Sequence, residues 1–363
     1  MFTLCILLVL QFTLTPIISG WGFTACNTRP KEQAKQKTAI DSQKITNLMQ
    51  SGDYKALKEL LNEYISLHPK NGLLYFYRAK AHLESGNFND ALKDLDMVLK
   101  LGFPEGSAYA LKAVIHGRHF GDLKKQIEFS SKAVLEDSTD ADAYFLRAEA
   151  YIKLREYEKA LIDYNSLTAL EPRNPDFYID RADINYRMKN YRAALADAAK
   201  TLNLDSRKDI AHYISGKIHL DTGNFSKALE SFNSALSIKP LSAHYYIARS
   251  QAYEKAGNFY SAIDDMELAL TSTEISSDSV HYYALAKNFF RVNEQDKAVS
   301  ALEKAMKSEA GRPEYYDLRG RIRAETGDYK SAAKDWEKMA ELDPSKKEIR
   351  DRNINKLKEF IKE

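Results

Sequence analysis

One pattern of residues returns every thirty-four positions, nine times between residues 38 and 346, and this period limits the fold more than any single residue does. In the stretch Leu74–Leu95 it appears as Tyr75, Arg78, Ala79 and His82, then Gly86, Phe88, Ala91 and Leu95. The same frame recurs as Tyr144, Arg147, Ala148, Tyr151, Tyr157, Ala160 and Tyr164, and as Tyr246, Arg249, Ser250, Tyr253, Gly257, Phe259, Ala262 and Met266. Its last copy runs Tyr316, Arg319, Gly320, Gly327, Tyr329, Ala332, Trp336 and Pro344. Spacings of three and four mark one face of a helix, and a Gly-Asn or Gly-Asp step before an aromatic residue interrupts it. Each unit therefore reads as helix, turn, helix. A length of 363 residues would otherwise suggest two or three globular domains, but a constant period favours one elongated solenoid in which neighbouring units bury each other's apolar faces.

These landmarks, an aromatic, a small residue, an Ala and a Pro at fixed offsets, resemble the tetratricopeptide repeat family. The resemblance implies an all-α, right-handed superhelix of nine repeats that serves as an interaction surface and not as an enzyme. The repeats fall at 38–71, 72–105, 106–140, 141–174, 175–208, 209–242, 243–276, 279–312 and 313–346. Pro69, Pro172, Pro240 and Pro344 end second helices at one offset, and Pro175 and Pro313 open first helices where no hydrogen bond is lost. The third repeat is irregular: Gly121 arrives one residue late, which predicts a distorted turn or a longer first helix. Ser277-Asp278 interrupts the register after the seventh repeat and reads as a loose joint. Residues 347–363 place Ile349, Ile354, Leu357 and Ile361 on one stripe, as a capping helix over the last repeat requires.

The first twenty-five residues have a different composition, with no charged side chain and apolar runs from Phe2 to Leu10 and from Phe12 to Ile18. Residues 1–25 read as a signal peptide or membrane anchor. Phe23-Thr24-Ala25-Cys26 resembles the lipobox of bacterial lipoproteins, which implies lipidation at Cys26, with residues 26–37 as a polar tether. The match departs from the pattern at Phe23, where Leu is usual, and in having no Lys or Arg ahead of the apolar run. Arg29, Lys31, Lys35 and Lys37 follow the run, where positive charge resists translocation, so an uncleaved anchor or a plain signal peptide stays open. On the lipoprotein reading the chain sits in a bacterial cell envelope, membrane-held and facing the periplasm. Both cysteines, Cys5 and Cys26, precede the repeats, which therefore form no disulfide.

Fifty-three Lys and Arg against fifty-one Asp and Glu leave almost no net charge, which argues against nucleic acid as a partner. The sequence holds no glycine-rich phosphate loop, no Gly-x-Ser-x-Gly elbow and no His-Glu-x-x-His, so no cofactor, metal, small-molecule substrate or catalytic residue is expected. His116 and His119 lack further ligands nearby in sequence, and His82 and His219 occupy a packing position. Ala79, Ala148, Ala182, Gly216, Ala286 and Gly320 occupy the small position that lets the second helix approach the first.

A second regularity lies inside the period. Arg78, Arg147, Arg181, Arg249 and Arg319 stand at position seven, and each is followed sixteen residues later by Asp94, Asp163, Asp197, Asp265 or Asp335. Repeats without the Arg lack the Asp as well. Residues that appear and vanish together predict structural ion pairs between the two helices of a hairpin, the planar guanidinium meeting a carboxylate.

In the family that this chain resembles, positions two, five, nine and twelve line the inner face on which peptides bind. Here they carry Met49, Leu73, Phe76 and Leu83 early in the array, and Asp142, Glu149, Asp176 and Asp183 in the fourth and fifth repeats. No repeat has the Lys-five, Asn-nine pair with which a subset of the family clamps a partner's C-terminal carboxylate. The sixth and eighth repeats place Tyr213, Lys217, Tyr283, Lys287, Phe290 and Arg291 on or beside that face, and these six are the expected partner-binding residues for a protein or peptide. The expected function is a protein–protein interaction scaffold or assembly factor at the envelope, held to the membrane through its N-terminal lipid or anchor. The alternative is a non-catalytic accessory subunit of an envelope enzyme complex.

Overall fold

The computed structural model describes residues 40–275 and 279–361; the leader with Cys26, the tether and the Ser277-Asp278 joint lie outside them. Nineteen α-helices and no strand occur among the described residues. They fall into two compact units, one ending at Met97 and one beginning at Val98. The first unit holds α1 (Ser42–Ser51), α2 (Tyr54–Leu67), α3 (Gly72–Glu84) and most of α4 (Phe88–Lys100). Its core gathers Ile45, Leu57, Leu61, Tyr64, Leu74 and Ala81.

In the second unit the third repeat supplies α5 (Glu105–Val114) and α6 (Leu123–Glu136). Repeats four to six supply α7 (Ala141–Lys153), α8 (Tyr157–Leu170), α9 (Pro175–Arg187), α10 (Tyr191–Leu204), α11 (Asp209–Asp221) and α12 (Phe225–Ile238). Repeats seven to nine supply α13 (Ala243–Lys255), α14 (Phe259–Thr271), α15 (Ser279–Arg291), α16 (Gln295–Ser308), α17 (Pro313–Glu325) and α18 (Tyr329–Leu342). The last helix, α19 (Lys347–Ile361), lays Ile349, Ile354 and Leu357 against Trp336 and Met339 of α18. Covering that end removes apolar surface from water, worth about 25 cal/mol per Å². None of these helices is long and apolar enough to cross a membrane.

The hairpin turn has one recurring backbone requirement. The residue two before each second helix is left-handed, at φ 73° in Gly52, 74° in Gly86, 76° in Gly223, 82° in Gly257 and 86° in Gly327. Arg155, Lys189 and Asn293 adopt the same conformation at φ 61°, 60° and 65°, although a side chain makes it costly. Asp or Asn at several helix starts accepts from the second or third backbone N–H inside, as Asp53 does from Ala56 (3.0 Å) and Asp328 from Ser331 (3.2 Å).

The small position and the residue sixteen further on are fitted to each other. A Cβ on Gly216 would stand 2.5 Å from the Phe232 ring, and one on Gly320 would stand 2.8 Å from the Trp336 indole nitrogen. Where the facing residue is smaller, as Leu95, Ala198 or Leu302 is, Ala79, Ala182 and Ala286 fill the place and are essentially fully buried. Tyr164 faces Ala148 in the fourth repeat with both buried, so the size of the facing residue does not by itself decide between Gly and Ala.

The late glycine of repeat three is absorbed by a π turn. After α5 the chain winds wider over Ile115–His119, the Phe120 N–H donates to the Ile115 carbonyl (3.2 Å), and Gly121 then takes the left-handed place at φ 70°. Gln126 stands where the other repeats after the first have Ala, and its side chain occupies the space that a Cβ on Gly117 would need. The Gln126 amide donates to the Leu146 carbonyl (2.8 Å), tying the irregular repeat to α7.

Candidate functional site

Residues at positions two, five, nine and twelve share one side of each first helix, because 100° per residue brings them within a quarter turn. In α11 this side carries Tyr213 and Lys217, both half-buried; in α15 it carries Tyr283, Lys287 and Phe290, also half-buried, with the exposed Arg291 beside them. The rings are held by their neighbours one repeat on. Tyr213 packs on Tyr245 with centroids 4.9 Å apart, and Tyr283 packs on Tyr315 at 5.0 Å, the same register two repeats later. The Tyr245 hydroxyl donates to Asp209 (2.7 Å), which fixes that ring as a rigid support for Tyr213. Burial, and then the nearby Glu314 and Asp317, push the Tyr283 hydroxyl above its ordinary range, so it stays protonated and able to donate.

The cations of this side reach back to the preceding repeat. The Lys217 ammonium lies 4.1 Å from the centre of the Tyr186 ring and 5.4 Å from that of Tyr213. Lys287 lies 3.6 Å from the Glu254 carboxylate, and the Arg291 guanidinium lies over Phe259 at 4.9 Å. Tyr186 is itself tied down, its hydroxyl donating to Asp221 (2.9 Å) beside that of Tyr191 (3.3 Å). Burial first, and then the Asp221 carboxylate, raise the Tyr186 hydroxyl. The six residues thus form two similar aromatic and cationic stations, on α11 and α15. Arg321 on α17 was not among them; it stands at position nine of the ninth repeat, 5.4 Å over the Phe290 ring, and its position in the repeat was the available signal.

The acidic stretch of repeats four and five is mostly neutralised from within. Asp176 meets Lys208 at 2.6 Å, Asp183 meets Arg187 at 2.6 Å, and Glu149 meets Lys153 at 3.0 Å. Asp180 differs. It occupies position six, where neighbouring repeats carry Leu146 and Ile214, and its carboxylate accepts from the buried Tyr164 hydroxyl (3.1 Å). Burial pushes its carboxyl up to about 7 against the lowering effect of that bond, with Asp176 and Asp183 adding to the rise and Lys208 opposing it.

The five Arg and Asp pairs are all in contact, Nε and Nη2 each donating to the carboxylate at 2.6 to 3.0 Å. The acids are buried, Asp163 to 1% side-chain exposure, while about a fifth of each arginine stays exposed. Each guanidinium also lies over the position-four tyrosine of its repeat, at 5.4 to 5.6 Å. Sequence reading missed the third arm. Nη1 reaches the preceding repeat, donating to Asn62 (2.6 Å), Ser131 (3.3 Å), Asn165 (2.9 Å) and Asn233 (2.6 Å) from the first four arginines. Each of these acceptors stands sixteen residues before its arginine, a spacing visible in the sequence. Arg319 meets Glu303 at that place, and no hydrogen bond joins the two among the described residues.

Among the described residues no three His, Cys, Asp or Glu side chains come together in a way that would hold a metal ion. His116 packs between Phe120 and Phe129, with ring centroids 5.7 and 5.3 Å away.

Tetratricopeptide repeat models match residues 141–174, 179–243, 213–278 and 283–347, together more than half of the chain. No curated protein matches the sequence. Among solved structures, a tetratricopeptide repeat protein from Parabacteroides merdae is 20% identical with a TM-score of 0.53, covering 69% of this chain and 98% of its own. The C-terminal part of a repeat-containing protein from Cytophaga hutchinsonii is 17% identical with a TM-score of 0.54, covering 68% and 99%. PilW, described as a widely conserved type IV pilus biogenesis factor, is 16% identical with a TM-score of 0.50, covering 56% and 92%. At these identities the likeness is one of fold.

Proposed function

The chain belongs to the tetratricopeptide repeat family, and on that footing we propose that it is a scaffold or assembly factor of the cell envelope that takes an extended partner segment along the first helices of repeats six to eight. The observation that carries this reading is the recurrence of one station, a supported tyrosine with a lysine four residues on, as Tyr213 with Lys217 and Tyr283 with Lys287. Rings held by a neighbour lose little freedom on binding, and ammonium groups beside them pair with carboxylates. The partner segment is accordingly acidic, with apolar residues between its charges. The envelope assignment rests on the apolar leader and on Cys26 behind Phe23-Thr24-Ala25, and the fold shared with a pilus biogenesis factor is in keeping with it.

Capture from envelope extracts tests the proposal. The wild type should retain a specific protein, and the Tyr213→Ala, Lys287→Glu double variant should lose it while keeping its helicity and melting temperature. Retention of the same partner by that variant would place binding elsewhere. For the anchor, the wild type should incorporate labelled fatty acid and Cys26→Ala should not; one acyl chain binds only weakly, so stable attachment needs several.

A further inference from the structure

Within the second unit, each junction between consecutive repeats from the third onward is bridged by a cation of the later repeat reaching back to the earlier one from position seven or position nine; at the junction of repeats seven and eight Arg291, at position thirteen, adds a contact on Phe259. At three junctions the bridge is the position-seven arginine on its buried aspartate: Arg147 to Ser131, Arg181 to Asn165 and Arg249 to Asn233. The sixth and eighth repeats have Ser215 and Leu285 at that position, and in the ninth Arg319 faces Glu303. At those three junctions a position-nine cation takes over, reaching position twelve of the repeat before: Lys217 to Tyr186 at 4.1 Å, Lys287 to Glu254 at 3.6 Å and Arg321 to Phe290 at 5.4 Å. Position nine of the fourth, fifth and seventh repeats, where an arginine clasp is present, is Glu149, Asp183 and Gln251, none of them a cation, although Glu149 meets Arg118 of the third repeat at 3.6 Å.

From this exchange we infer that Lys217, Lys287 and Arg321 are a single set of inter-repeat bridges, placed on the partner-facing side of the junctions where, among the described residues, no position-seven arginine hydrogen-bonds back to the preceding repeat. The two kinds of bridge differ in access. A clasp guanidinium is locked on a buried carboxylate and a tyrosine ring. The position-nine cations have no buried carboxylate: Lys217 lies between the Tyr186 and Tyr213 rings, Lys287 between Glu254 and the Tyr283 ring, and Arg321 over Phe290, contacts that a carboxylate from outside can compete with. Resting on the reading of the preceding subsection, an acidic segment that recruits these cations releases the junctions between repeats five and six, seven and eight, and eight and nine, and leaves the clasped ones as they were. Arg321 thereby joins the binding surface, extending it into the ninth repeat. Binding energy and junction stiffness are coupled through the same three side chains.

Amide hydrogen exchange on the full chain tests this. Lys217→Met, Lys287→Met and Arg321→Met should each speed exchange by roughly two- to five-fold in the helices flanking their own junction, as loss of one such contact predicts. Lys217→Arg should restore the wild-type rate. A heptapeptide of six glutamates around a central tyrosine should speed exchange at the same three junctions and not at the Arg249 junction. Unchanged exchange in all three Met variants would overturn the inference, as would a peptide response equal at clasped and unclasped junctions. Responses in the variants with no binding of the peptide would support the bridges and count against the acidic-partner reading instead.

Discussion

Removing Arg147 should cost far more than that residue contributes, because of what it leaves behind. Its Nε and Nη2 sit 3.0 and 2.6 Å from Asp163, whose side chain is 1% exposed, whereas 19% of the arginine remains in contact with water. Burial raises the Asp163 carboxyl despite the lowering effect of the arginine, so desolvation already outweighs the pair's attraction. Arg147→Met strands a buried carboxylate and should cost about 3 kcal/mol at pH 7. Asp163→Asn leaves a guanidinium that still has water, Tyr144 and Ser131, and should cost about 2 kcal/mol. The double variant should cost little more than Arg147→Met alone, giving a coupling of about 2 kcal/mol, well above the few tenths typical of exposed pairs. Since the raised carboxyl can take up a proton, the Arg147→Met penalty should shrink as pH falls. Repeat arrays do not always unfold in one step, so the cycle is best read from exchange of the buried amides of α7 and α8. Additive costs, or an Arg147→Met penalty that does not change with pH, would refute the reasoning.

Three further outcomes follow from the turn, the core and the acidic stretch. Arg155→Gly and Lys189→Gly should each stabilise by about 1 kcal/mol in thermal melts by relieving a left-handed side-chain residue, while Gly257→Arg should destabilise. Gly216→Ala should cost about 1 to 3 kcal/mol because its Cβ meets Phe232 at 2.5 Å, and Phe232→Leu added to it should recover most of the loss, since Ala79 with Leu95 shows that this pairing fits. The Asp180 carboxyl, pushed up to about 7 from an unfolded value near 4, contributes stability that is complete below about pH 4 and is lost as pH rises through 7. Asp180→Asn should therefore stabilise by about 1 kcal/mol at pH 8 and by almost nothing at pH 4, as chemical denaturation at the two pH values would show.

The period and the spacing of three and four within it made the helices legible, because that spacing puts the apolar residues of each copy on one helical face. The Arg and Asp co-occurrence pointed to a contact because two residues that come and go together at a fixed distance share a cause. The third arm of the arginine was written equally plainly, as Asn62, Asn165 and Asn233 sixteen residues upstream, yet Asn is common on exposed helix faces and Ser131 breaks the type. The π turn could be foreseen only as an irregularity. Its form depends on Gly117 yielding space to Gln126, residues whose nearness is a product of the fold. The exchange of bridges between positions seven and nine was beyond sequence reading, because Lys217, Lys287 and Arg321 meet three chemically different partners, a phenol, a carboxylate and a phenyl ring.

Site-directed photo-crosslinking tests the binding face most directly. A photoreactive phenylalanine analogue would replace Val280, 47% exposed at position two of α15, in one variant, and Glu230 on the exposed side of the second helix α12, or Leu73 of the first unit, in two others. Irradiation in envelope extracts should give a covalent adduct of defined mass from position 280, suppressed by the added Tyr213→Ala and Lys287→Glu changes, and none from positions 230 and 73. An adduct from position 230 or 73 with none from 280 would contradict the account.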